Sequence, residues 1–139
     1  MVNKEILLKK AIEFHGHLGP FLVLGLKAGM FCLNKLKAKK YFGINVVIKG
    51  ALKKPKSCII DGLQVSCGAT YGKGNIKKIS GKEIEILIQN LNTKKKINLT
   101  LKSKLIQELE AVKNHKESEI LALKLYKTLP KKLFQLKGQ

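Results

Sequence analysis

Arginine is missing from this sequence, so all 28 basic residues are lysine. Phosphate and base recognition usually draws on arginine's planar, bidentate fork, which lysine lacks. A net charge of +19 is therefore weak support for a nucleic-acid reader and fits a compositional bias toward lysine as well. Acidic residues number only 9, and Asp61 is the single aspartate. The 3 cysteines, Cys32, Cys58 and Cys67, form no C-x-x-C pair, which excludes a zinc ribbon and a thioredoxin-type motif. An odd number of them also argues against a disulfide framework. Long apolar runs are absent: the stretch 18–33 contains Lys27 and falls short of the ~20 residues of a spanning helix. The first residues show no apolar block followed by a small-residue cleavage site, so a cytoplasmic protein without a membrane partner is expected.

What is present is one domain's worth of chain, 139 residues that are 45% hydrophobic, too apolar for disorder. No repeat or low-complexity linker divides it, so 1–139 reads as a single domain. The charge is uneven. Residues 1–34 hold Lys4, Lys9, Lys10 and Lys27 against Glu5 and Glu13, and nearly all the excess lies beyond them. Residues 13–34 are thus a nearly neutral, apolar stretch.

Apolar spacing predicts a helix over 3–13, capped by Asn3, and a second over 20–40 begun by Pro20. Ile44 to Ile48 is a β-branched run that reads as a buried strand. Ser57 is a candidate cap for a third helix to about Ser66. A strand near 75–79 and an alternating hairpin over 83–89 and 97–101 follow. Two amphipathic helices, about 103–113 and 116–129, end at Pro130. The order α, α, β, α, β, β, β, α, α is an α+β pattern with a largely antiparallel sheet. The second helix is apolar nearly all round, and with the terminal helices this predicts a symmetric homodimer.

Three segments hold residues that a core does not require. In His15-Gly16-His17 the i, i+2 spacing of an irregular segment sends two imidazoles to one side, for metal binding or acid–base work. Isolated histidines more often satisfy core hydrogen bonds. Cys58 sits at a helix N-terminus, where the dipole favours thiolate, although a buried, inert cysteine is the commoner fate. Asp61 and Gln64 lie on one face of that apolar helix and need polar partners. Residues 67–75 hold three glycines around Lys73, but Gly74 stands where a Walker A loop needs Ser or Thr.

These segments together resemble the FmdE family, named for formylmethanofuran dehydrogenase. Phe14-His15-Gly16-His17-Leu18 with Pro20, Gly25 and Gly29 is similar to its FHGHxCPG…G signature. Cys58-Ile59-Ile60-Asp61-Gly62-Leu63-Gln64-Val65 is similar to its C-x-x-D-[AG]-[IL]-Q-V block, and Gly68 with residues 70–75 to its G-C-T-x-G-K-G-N. The resemblance implies an α-β-α-β(3) core with a mixed sheet, here preceded by one helix and followed by two. It implies His15, His17, Cys58 and Cys67 as ligands of zinc or another divalent transition metal. It also implies a pocket formed with Asp61, Gln64, Thr70, Lys73 and Asn75, and a place beside a molybdenum or tungsten dehydrogenase in one-carbon metabolism. Departures limit this. Gly19 and Ala69 replace two family cysteines, Phe21 replaces a glycine, and the family's zinc ribbon is absent. A ligand-binding protein that has lost its metal is therefore the alternative, ahead of a basic nucleic-acid-associated domain.

Overall fold

A computed structural model describes residues 3–137. Its elements are α1 (Lys4–His15), α2 (Pro20–Leu36), β1 (Ile44–Lys49), α3 (Cys58–Cys67), β2 (Ile76–Ile79), β3 (Glu85–Asn90) and β4 (Lys96–Leu101). There follow α4 (Ser103–Glu110), α5 (His115–Tyr126), α6 (Pro130–Leu133) and β5 (Phe134–Leu136). The sheet runs β2-β1-β3-β4-β5, parallel between β1 and β2 and antiparallel elsewhere. This is the expected α+β layout, extended by two short elements. Pro130 does stop α5's segment, yet it also opens α6, where its missing N–H is harmless. The chain then returns along β4 as an edge strand.

Alternation sets the sheet's buried face. Val46 pairs with Ile88, Ile48 with Ile86, and Ile86 with Leu99, all buried and packed in one core with Ile59, Leu63 and Val23 of the helical layer. Helix α2 lies so close to α3 that glycine is required on both. A methyl group at Gly25 would stand 2.1 Å from the Ile59 carbonyl oxygen, and one at Gly62 2.1 Å from that of Leu22. Farther along, Gly29 leaves room for Ser66, whose hydroxyl donates to the Gly25 carbonyl at 3.1 Å. Residues Leu22 to Gly29 are consecutively buried. Helices α1, α3 and α5 absorb α2's apolar faces within one chain, which removes the argument for a dimer drawn from them.

Cap chemistry differs from expectation at three ends. Asn3 caps α1 as predicted, accepting from the Glu5 and Ile6 N–H groups. Ser57 does not cap α3 with its side chain, because it already has helical φ and ψ and continues the turn begun at Lys53. Ser103 is α4's first residue, after an uncapped Lys102. Helix α2 stops at Leu36 and not at 40, where Lys37 turns left-handed and Asn90 donates to the Leu36 carbonyl at 3.0 Å. Helix α5 buries Leu121 and Leu125 but leaves Ile120 and Leu123 exposed.

Candidate functional site

His15 is the last residue of α1, and Gly16 closes that helix at φ 105°, a left-handed conformation suited to glycine. The reversal carries His17 back beside His15, their ring centroids 4.7 Å apart. Across the α1–α3 contact, His15 Nδ1 meets Asp61 Oδ2 at 2.6 Å. The carboxylate takes the Nδ1 proton and leaves a lone pair on Nε2. That Nε2 is buried and has no hydrogen-bond partner.

His15, His17 and Cys58 line one cavity of about 220 Å³. Pro20, Phe21 and Leu22 of α2 and Pro55 form much of its wall, and Leu109, Val112 and Ser118 of the α4–α5 region close it. The polar groups therefore sit at one end of a largely apolar chamber. Cys58 opens α3, but the helix N-terminus does not make it a thiolate. Burial first and the Asp61 charge second push its thiol upward, outweighing Lys54. Burial and Asp61 raise the nearby Tyr71 phenol as well.

The remaining sequence candidates have structural occupations. Cys67 is fully buried beside Cys32 in the core, away from the cavity, and burial pushes it up to about 11 and Cys32 to about 12. It does not compensate for the replaced cysteines, because α3's helical period turns it toward the sheet. Gln64 accepts from the Tyr71 N–H at 3.2 Å. Lys73 folds back to donate to the Gly68 carbonyl and to the Thr70 hydroxyl, with its ammonium near the Tyr41 and Phe42 rings. Asn75 accepts from the Thr70 N–H and donates to the Tyr41 and Ile44 carbonyls. Thr70, Lys73 and Asn75 thus bind the loop to the body of the protein, and none lines the cavity.

Known proteins share both the motifs and the fold. A family model described as "FmdE, Molybdenum formylmethanofuran dehydrogenase operon" matches residues 14–135. This chain belongs to the FmdE family. Over 74 residues it is 34% identical to a probable S-adenosyl-L-methionine-binding protein of Archaeoglobus fulgidus, a match covering 50% of this chain and 19% of that protein. It thus spans about a fifth of that relative's length. The crystal structure of an FmdE-like protein of tungsten formylmethanofuran dehydrogenase type, from Syntrophus aciditrophicus, has the same fold. The TM-score is 0.67 at 16% identity, covering 98% of this chain and 71% of that one.

Within this FmdE-family chain, the two replaced cysteines fall in different surroundings. Gly19 lines the cavity, and a Cβ there would lie 3.4 Å from His17 Nε2. Ala69 is fully buried and outside it. Among the described residues, no three His, Cys, Asp or Glu side chains are disposed to hold a metal ion. Only His15 is oriented as a metal ligand is, with a carboxylate on its far nitrogen. The residue that sequence reasoning missed is His115, the first of α5, whose ring centroid lies 5.8 Å from that of His17. The one available signal was scarcity: the chain has 3 histidines, and all three rings form this stack.

Proposed function

We propose that this FmdE-family chain is a cytoplasmic binding protein whose cavity takes a small, mostly apolar ligand carrying one hydrogen-bond donor. Its role is accessory to dehydrogenase chemistry of the kind for which the family is named. The observation that carries the reading is the buried, unpartnered His15 Nε2, aligned by Asp61, in a cavity walled by Phe21, Leu22, Leu109 and Val112. An unsatisfied buried acceptor costs about 1–3 kcal/mol, which a ligand N–H or O–H would offset. At about 220 Å³ the cavity is smaller than the ~300–1,000 Å³ of drug-sized sites, so it suits a ring-sized ligand or one end of a longer one. S-adenosyl-L-methionine, named for the Archaeoglobus relative, would enter only in part. The absence of any described helix long and apolar enough to cross a membrane is compatible with a cytoplasmic role.

A second reading rests on the same nitrogen. A divalent transition metal, zinc foremost, would be led by His15, with His17 and Cys58 supplying donors of the right chemical type. Such an ion would polarise a bound carbonyl or water. The chain's own contribution would be Asp61 holding His15 in its tautomer and the α4–α5 region excluding solvent. Without three converging donors, retention of the metal would be weak.

Amide chemical-shift titration with phenol and with benzene tests the first reading on the full chain. Phenol should shift residues 15–22 and 109–118 saturably and more tightly than benzene, and His15→Phe should erase the difference. Equal binding of the two probes, or no saturable shift, would overturn it. Stoichiometric zinc in untagged protein would select the second reading instead.

A further inference from the structure

Lys27 is the only charged side chain buried among the described residues, 7% exposed between the fully buried Leu26 and Ala28 of α2. Its ammonium donates to the Tyr126 carbonyl at 3.1 Å and lies 5.9 Å from the Tyr126 ring centroid. Among the described residues no carboxylate comes within ion-pair distance of it. Packing alone would accept methionine here, and an ammonium without a counter-charge is costly to bury. Burial, and then Lys4, lower its pKa.

The side chain opens into a cavity of about 590 Å³, within the usual range of small-molecule sites. Lys4, Glu5, Asn34 and Lys127 contribute its polar wall, Phe31 and Leu129 part of its apolar wall. It shares no residue with the His15 cavity and lies at the other end of α1, about 18 Å along a 12-residue helix. Three ammoniums against one carboxylate leave two positive charges around an apolar chamber. A phosphate monoester at neutral pH carries up to two negative ones.

We propose that this cavity binds a small organic phosphate, its dianion among Lys4, Lys27 and Lys127 and its apolar or aromatic body against Phe31 and Leu129. Lysine serves as a point charge for phosphate, which does not require arginine's fork. The Asn34 amide adds a donor at the same wall. The site is independent of the His15 cavity, so either assignment can fail alone.

Calorimetry and amide-shift titration of the full chain with phenyl phosphate, at fixed ionic strength, test it. Binding should be saturable with a millimolar or tighter Kd and should shift residues 4–5, 27–34 and 126–130. Lys27→Met should weaken it at least about tenfold, and Lys127→Glu by a similar factor. Lys95→Glu, an equal charge change in the β3–β4 loop, should leave it unchanged. Inorganic phosphate, lacking the apolar body, should bind more weakly. Equal loss in Lys95→Glu, equal affinity for inorganic phosphate, or no saturation would overturn the assignment. If Lys27→Met does not fold, Lys127→Glu against Lys95→Glu decides it.

Discussion

His17 stacks on His115, two residues from opposite ends of the chain, with ring centroids 5.8 Å apart and planes tilted by 32°. The contact ties the start of α5 to the reversal after α1, next to the cavity that His15, Cys58 and Val112 share. His115→Ala should therefore loosen the cavity's outer wall without disturbing the core. Phenol titration should show weaker binding, by about threefold, while the melting temperature stays nearly constant.

Asp61→Ala should be destabilising. It removes the partner of a mostly buried His15 Nδ1 and adds a second unsatisfied atom to a ring whose Nε2 has none. The expected loss is about 1–3 kcal/mol in a denaturant titration. Asp61→Asn, which retains an acceptor, should lose less.

The α2–α3 interlock should tolerate no methyl group. Gly25→Ala and Gly62→Ala place Cβ against backbone oxygens that have no free rotor to move aside. Each should cost ~3 kcal/mol or more, or prevent folding. Gly72→Ala, where the nearest contact is 3.9 Å from the Thr70 hydroxyl, should be close to neutral by the same melt.

Thiol burial predicts a pH dependence at the alkaline end. Cys32 and Cys67 are raised to about 12 and about 11, so the folded state holds their protons more tightly than the unfolded state does. Their stabilising contribution is complete below the ordinary thiol value and is lost as pH climbs through it toward the raised ones. Stability should fall over that window, and Cys32→Ala should flatten its share of the slope. Iodoacetamide at pH 8 should modify Cys58 first but more slowly than a free cysteine, because its thiol is also raised.

Lys27 shifts in the opposite direction. Its lowered pKa means that keeping the proton costs the folded state stability below that value, and relief comes as pH rises toward the ordinary lysine value. Lys27→Met should thus raise stability at neutral pH by about 1 kcal/mol, measured by thermal melt. A drop in stability would mean that the Tyr126 carbonyl bond outweighs desolvation.

Gly19→Cys tests how far the cavity stands from a metal site. The thiol would start 3.4 Å from His17 Nε2 at a backbone position that accepts a side chain, since Gly19 has φ −147°. Zinc retention against a chelator should increase in Gly19→Cys and not in Ala69→Cys, whose side chain faces the core. Equal behaviour of the two variants would contradict this geometry.

The amino-acid sequence by itself determined what depends on neighbours a few residues away. The periods of α2, β1 and the β3–β4 hairpin, the Asn3 cap and the breaks at 16–19 are written locally, because backbone geometry sets those repeats. Asp61 was legible as a polar site for the same reason: a lone aspartate in an apolar helix needs a partner from somewhere. Which partner, and which polar atoms remain free, only the tertiary structure decided. Thr70, Lys73 and Asn75 look like ligand contacts in the sequence, yet the loop's return onto Gly68, Tyr41 and Ile44 consumes their hydrogen bonds. His115 and Lys27 look like surface residues until α5 docks on α2. A polar side chain's role is set by the donors and acceptors that distant segments bring within about 3 Å, and here glycine-lined helix packing sets that approach.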